Sequence, residues 1–241
     1  MADPSWPAAA GRTLLGRRTS RLDGPAKSGG RVRYTFDINR PGMLFARVVR
    51  CPHAHARILK IDVEKARRIR GVKAVRIIQK AGADIKWAGD EIAAVAAVSE
   101  EIAGDAARAV KVEYEVLPHF VTEEDLHRAP DVKPAQAETT GDPDAAMAAA
   151  EVKIAGEYGL PSVAHCCLES HGQVCEWTGE KEMTAWCSTQ NVSGLPGQFA
   201  EGLGIPAAGV RVITDHLGGG FGSKFGVDRW GSVCAQLARE A

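Results

Sequence analysis

The stretch IAAVAAVSEEIAGDAARAVKVEYEV, residues 92–116, decides how the first half of the chain folds. Ile92 to Val98 is apolar without a break, the pattern of a strand covered on both faces. Ser99 then offers an N-cap hydroxyl, with Glu100 and Glu101 in the first turn to complement the helix dipole. Ile102, Ala106 and Ala109 fall on one face of that helix. Lys111 to Val116 alternates strictly and predicts a strand with Val112, Tyr114 and Val116 on its buried side. Strand, helix and strand in this order describe a small α/β unit, with a right-handed crossover if the strands are parallel.

Working upstream, Met43 to Arg50 and Arg57 to Ile61 are short β-favouring runs separated by a Cys51-Pro52-His53-Ala54-His55 turn. Asp62 can cap a short charged helix that stops at Gly71, and Val72 to Ile78 reads as another strand. Residues 1–24 have no periodicity and read as an extended arm. Downstream, residues 119–141 are polar and proline-containing, a linker. Gly141-Asp142-Pro143-Asp144 opens a short helix, and Val152 to Leu160 reads as extended. Gly172 to Trp177 and Met183 to Cys187 flank a turn at Thr178-Gly179-Glu180-Lys181 and predict a hairpin. Leu195, Phe199 and Leu203 fall at helical spacing before Gly204 and Pro206, and Val210 to Ile213 is a strand. Trp230, Val233, Cys234, Leu237 and Ala241 form an apolar stripe with no stop signal behind it, the expectation for a helix cut short of its natural end.

With 45% apolar and 25% charged residues over 241 positions, the chain is globular rather than disordered or collagenous. It lacks the roughly 20 consecutive apolar residues of a membrane-spanning helix. Arg17 and Arg18 have no apolar run behind them, so no export signal is complete and the expected compartment is cytoplasmic. Residues 1–80 hold 19 Lys/Arg against 5 Asp/Glu, and the remainder is correspondingly acidic. The arginines are dispersed through strands and lack aromatic platforms, which argues against nucleic acid. The basic half is expected to face acidic parts of its own assembly. Six cysteines, two of them adjacent at Cys166 and Cys167, make a poor disulfide framework, because neighbouring side chains on a strand point opposite ways.

The sharpest local signal is Leu217-Gly218-Gly219-Gly220-Phe221-Gly222-Ser223-Lys224, between a strand and a helix. Backbone N–H groups approach an oxyanion closely only where no Cβ intervenes. Ser223 before Lys224, and Phe225 after it, exclude a nucleotide-hydrolysing P-loop, and the glycine spacing fails the dinucleotide pattern. The chemistry admits an anion- or cofactor-contacting turn or a structural one. Ser188-Thr189-Gln190 places an amide at a strand end, where ligands often sit. His165, Cys166, Cys167, His171, Cys175 and Cys187 are zinc-ligand types without zinc-ribbon spacing, as are His53 and His55, so buried or hydrogen-bonded roles are the better reading. No Gly-x-Ser-x-Gly elbow marks a serine hydrolase.

In order, these segments resemble the molybdenum-binding large subunit of the xanthine dehydrogenase/aldehyde oxidase family. The resemblance runs through Arg21-Leu22-Asp23-Gly24-Pro25-Ala26-Lys27, Arg50 to Ile58, Gly89-Asp90-Glu91 and Val112 to Pro118. It continues through Leu168-Glu169-Ser170-His171, Ser188-Thr189-Gln190 and the glycine-rich turn. It implies an α+β fold: an α/β hammerhead domain over 25–118, then the first, incomplete part of a molybdopterin-binding domain over 142–241. It implies a molybdenum–molybdopterin cofactor contacted by Gln190, Gly219, Gly220, Phe221 and Gly222, with Phe221 and Phe225 walling a water-poor substrate pocket. The implied reaction is oxidative hydroxylation of an aldehyde or N-heterocycle with water as the oxygen source. Electrons would leave through 2Fe–2S clusters to FAD, carried on partner iron–sulfur and flavin subunits.

Three features bear on that transfer. The family's glutamate base lies in a later part of the subunit, so no residue here, Glu169 included, inherits it, and the 241-residue chain alone is expected neither to turn over substrate nor to hold stoichiometric molybdenum. Phe225 stands where purine-oxidising relatives carry an acidic contact, which disfavours xanthine. The loop that serves a copper–molybdenum centre falls outside this stretch. The rivals are a non-catalytic half of a split subunit, docking a second chain through the last helix, and a zinc-binding structural protein.

Overall fold

A computed structural model describes residues 6–129, 133, 136, 138–161 and 163–241. The first five residues of the arm and parts of the linker therefore lie outside the described residues. After the short helix α1 (Gly24–Ser28), strands β1 (Phe45–Arg50) and β2 (Ala56–Asp62) flank the expected turn. The Asp62 carboxylate accepts the Glu64 N–H (3.0 Å) at the start of α2 (Glu64–Arg67), a single turn that ends well before Gly71. There follow β3 (Val72–Ile77), β4 (Asp84–Ile85), β5 (Glu91–Ala97), α3 (Glu100–Ala109) and β6 (Lys111–Val116). Ser99 caps α3 by accepting the Ile102 N–H at 3.3 Å.

Strands β5 and β6 do not share a sheet, so the unit contains no parallel crossover. One antiparallel sheet has the order β1-β5-β3 and a second the order β4-β2-β6. Both hydrogen-bonding edges of β5 are taken by β1 and β3, which leaves β6 to pair with β2. Val116, at the far end of β6, is 55% exposed rather than buried.

The second region contains α4 (Pro143–Ala149), β7 (Gln173–Gly179), β8 (Glu182–Cys187), α5 (Leu195–Leu203), β9 (Val210–Ile213) and α6 (Asp228–Glu240). Asp142 caps α4 through the Ala145 N–H (2.9 Å), and Gly204 ends α5 in the left-handed conformation. Strands β7 and β8 form the expected hairpin. Strand β9 lies parallel to β8, with α5 as the connection that parallel pairing requires. The stretch from Val152 to Leu160 pairs with no strand among the described residues, and Val152, Ile154, Tyr158 and Leu160 are exposed.

Helix α6 joins the two regions. Alternate residues of β5 face opposite ways: Ala93 and Val95 pack with Ala106 and Val110, while Ala94 and Ala96 pack with Val233 and Leu237 of α6. Ala235 enters a separate core with Met183, Leu195 and Phe199, and its carbonyl accepts the Trp177 indole N–H at 2.8 Å. Of the stripe on the last helix, Val233 and Leu237 are buried and Trp230 and Cys234 half-buried within this chain, while Ala241 is exposed. Arginines of the basic half pair with carboxylates of the acidic half: Arg40 with Glu176 (3.0 Å), Arg57 with Glu115 (2.8 Å) and Arg76 with Glu240. Within the acidic half, Arg229 of α6 reaches Asp90, just before β5, at 2.7 Å.

Candidate functional site

Because β8 and β9 are parallel neighbours, their carboxyl ends open on the same side, where ligands of α/β units commonly bind. Ser188-Thr189-Gln190 continues from β8, and the glycine-rich turn follows β9. The two are stitched together. Gln190 N–H and Thr189 Oγ1–H both donate to the Lys224 carbonyl (2.9 and 3.0 Å), and the Asn191 side chain donates to the Phe225 carbonyl at 3.1 Å.

Gln190 Oε1 accepts the N–H groups of Gly222 (3.0 Å) and Lys224 (3.3 Å). Two donors converging on one atom require an acceptor there, which fixes the amide orientation and leaves its NH₂ end without a partner among the described residues. Ser223 N–H is held by the Gly220 carbonyl (2.9 Å) and Gly218 N–H by Glu169 Oε2 (2.7 Å). The N–H groups of Gly219, Gly220 and Phe221, between those anchors, find no acceptor among the described residues. Gly219 (φ +104°) and Phe221 (φ +50°) both take left-handed φ values. Successive free N–H groups around such residues form an anion-receiving concavity.

Two of the glycines answer to the protein's own packing as well. A Cβ at Gly220 would stand 2.6 Å from Cγ of Gln190, and one at Gly218 would collide with the Glu169 side chain. The sequence admits both a ligand-contacting and a structural role for the glycine run, and at these two positions the missing Cβ gives room to Gln190 and Glu169.

Beneath the turn lies a feature that sequence reading missed. Lys224 is wholly buried, and its ammonium donates to Ser188 Oγ (2.6 Å), the Glu169 carbonyl (2.9 Å) and Glu169 Oε2 (3.4 Å). Glu169 also accepts the Ser188 hydroxyl (2.8 Å) and the Thr35 N–H (3.3 Å). Burial alone would raise its pKa. The Gly218 N–H, the Ser188 hydroxyl, the Lys224 charge and the Thr35 N–H outweigh that and hold the carboxyl below its usual range. The available signal was a charged residue inside each of two otherwise uncharged motifs, Leu-Glu-Ser-His and Gly-Ser-Lys, 55 positions apart in sequence.

The other sequence candidates fall as follows. Phe221 and Phe225 are 73% and 53% exposed, so within this chain they do not enclose the expected water-poor pocket. A cleft of about 340 Å³ opens beside the turn, lined by His165, Cys166, Cys167, Glu169, His171 and Ser223. Cys166 has φ +50°, so Cys166 and Cys167 both line this cleft instead of facing opposite ways as on a strand. His171 Nε2 lies 3.0 Å from Ser223 Oγ. His55 bridges the Pro118 carbonyl (2.7 Å) and Asp84 (2.9 Å), and the His53 ring meets Tyr114 edge-on. Among the described residues, no three His, Cys, Asp or Glu side chains are grouped to hold a metal ion.

Residues 29–82 match the aldehyde oxidase and xanthine dehydrogenase a/b hammerhead domain, and residues 126–241 match the molybdopterin cofactor-binding domain. The chain belongs to the xanthine dehydrogenase/aldehyde oxidase family of molybdenum-binding subunits. It is 30% identical to the aldehyde oxidoreductase molybdenum-binding subunit of Escherichia coli, over 95% of this chain and 34% of that relative. It is 31% identical to the nicotinate dehydrogenase large molybdopterin subunit of Eubacterium barkeri, over 88% of this chain and 56% of that protein. Quinoline 2-oxidoreductase from Pseudomonas putida superposes with a TM-score of 0.77 at 26% identity, covering 93% of this chain and 33% of its own. The chain therefore spans about a third to a half of the length of these relatives. Among the described residues, no helix is long and apolar enough to cross a membrane.

Proposed function

We propose that this chain supplies the hammerhead (25–118), a linker (119–141) and the opening part of the cofactor cradle (142–241) of a molybdenum-dependent hydroxylase. Its reaction would be oxidative hydroxylation of an aldehyde or N-heterocycle with oxygen drawn from water. One observation carries the reading: the free N–H groups of Gly219, Gly220 and Phe221 and the free amide end of Gln190 make a site of donors only. Such a site fits a group rich in oxo and phosphate oxygens and repels a cation.

The bound cofactor would supply the two-electron redox chemistry. The chain's own residues bind and orient: the Gln190 amide donates to an oxygen of the group, and the Gly219–Gly222 backbone lies against it. Phe221 and Phe225 offer an apolar wall that, once covered by the rest of the subunit, excludes water and strengthens the electrostatics of the site. An apolar side chain at Phe225 cannot accept a purine N–H, which directs the reading toward aldehydes and less polar heterocycles. Glu169 is no general base, since its oxygens are committed to Lys224, Ser188, Gly218 and Thr35. The base, the 2Fe–2S clusters and FAD are assigned to other parts of the assembly.

The test is metal and pterin analysis of the assembled enzyme carrying this chain. The expected result is molybdenum and pterin in equal amounts, near one of each per chain, with Gln190→Ala lowering aldehyde turnover by about tenfold or more. An assembly holding zinc in place of molybdenum, or neither metal nor pterin, overturns the proposal.

A further inference from the structure

We propose that Glu169, Lys224 and Ser188 are positioning residues that preset the cofactor-receiving turn without touching the cofactor. The inference rests on the molybdopterin reading above and extends it to side chains beneath the site. A single carboxylate oxygen, Glu169 Oε2, receives the N–H at the start of the turn (Gly218, 2.7 Å) and faces the ammonium at its end (Lys224, 3.4 Å). The Ser188 hydroxyl sits between the two charges, accepting from Lys224 at 2.6 Å and donating to Glu169 at 2.8 Å. The same serine begins the Ser-Thr-Gln segment, so the clamp that closes the turn also fixes the strand end presenting Gln190.

The donor arithmetic follows from this clamp. Along the turn, the N–H groups of Gly218, Gly222, Ser223 and Lys224 are committed within the protein, and those of Gly219, Gly220 and Phe221 are left free between the two anchored ends. The spacing of the anchors therefore sets which amides point outward, before any ligand arrives. All three ammonium donors of Lys224 are used, so the buried cation is satisfied in place and has no reason to move toward a ligand. Thr35, more than a hundred residues earlier in the chain, donates to the other oxygen of the same carboxylate and ties the segment before β1 to the site.

The experiment compares Glu169→Gln and Ser188→Ala with the wild-type protein by two readouts. Hydrogen exchange on the full chain follows the amides of Gly218, Gly222 and Lys224, with β5 as an internal control. Molybdenum and pterin per chain are measured in the assembled enzyme. The expected result is at least tenfold faster exchange in the turn of both variants, with molybdenum and pterin falling together by about fivefold or more. In Ser188→Ala, which keeps both charges, β5 exchange and the melting temperature should stay at the wild-type values, whereas Glu169→Gln leaves the buried Lys224 ammonium unpaired and should also melt lower. A merely structural role would instead lower the Ser188→Ala melting temperature in step with cofactor content. Wild-type exchange in the turn of both variants, or faster exchange with full cofactor content, overturns the inference. Should Glu169→Gln fail to fold, Ser188→Ala keeps both charges and decides alone. Wild-type assembly devoid of molybdenum and pterin would sink the functional reading, while the exchange result would still decide whether the clamp holds the turn.

Discussion

Strand β5 and the glycine-rich turn are both held by segments distant in sequence, and they are held by opposite means. β5 is fixed by apolar contact on two faces, with α3 on one and α6 on the other. The turn is fixed by polar contacts: a buried ion pair, a serine hydroxyl and hydrogen bonds to Gln190 and Thr189. Apolar contact is non-directional and tolerates small shifts, whereas a charge-assisted network sets atoms to within tenths of an ångström and fails sharply when one member is lost. The scaffold of this chain uses the first, and the site uses the second.

The largest difference should appear on neutralising Lys224. Lys224→Met strands a buried carboxylate and is expected to cost about 3–5 kcal/mol in denaturant unfolding. Adding Glu169→Gln should recover a large part of that loss, because no charge then stays unpaired. A cost under about 1 kcal/mol for the single variant would show that the pair is not what holds the turn.

Ile92→Ala, in a core shared with Cys51, Ile58 and Ile85, should cost about 2–5 kcal/mol by leaving a cavity. Here no second polar-to-apolar change should compensate, and recovery by any such partner would erase the contrast between the regions. Smaller again, Ser99→Ala removes the cap of α3 and should cost about 1 kcal/mol. Faster exchange confined to the Ile102 amide and its first-turn neighbours is the signature to look for.

The smallest effects are opposite pH dependences. The Pro118 carbonyl, with Asp84, raises the His55 pKa against the opposing pull of desolvation and Lys86. Its stabilisation is therefore complete below the unfolded value of about 6.5 and is lost as pH rises through the folded value. Glu169 is held low, so its contribution is present above about pH 4.3 and is lost as pH falls through its folded value. A mild acid titration followed by residue-resolved exchange should loosen the turn before the His55 clasp. The reverse order would contradict both assignments.

Much of the scaffold was legible because it depends on local rules. The break-free apolar run of β5, the Ser99 and Asp142 caps, the hairpin turn and the Gly204 stop each act within a few residues. Gln190 and the glycine-rich turn were legible as separate motifs. What failed was long-range. The partner of β6 depended on β1 and β3 having occupied both edges of β5. The buried side of the last helix depended on Ala94 and Ala96, about 140 positions earlier in the chain.

Sequence alone thus determined most of the strands and helices, though not α1 or the two-residue β4, that β5 must be covered twice, and which glycines and amide could face an anion, since periodicity, capping and side-chain chemistry are written locally. Tertiary structure alone decided that α6 supplies the second cover. It also decided that Gln190 meets the turn through its oxygen and keeps its NH₂ free, and that Glu169 and Lys224 neutralise each other beneath it. Those outcomes turn on which distant atoms come within about 3 Å of each other, a distance at which a hydrogen bond forms and beyond which it weakens rapidly.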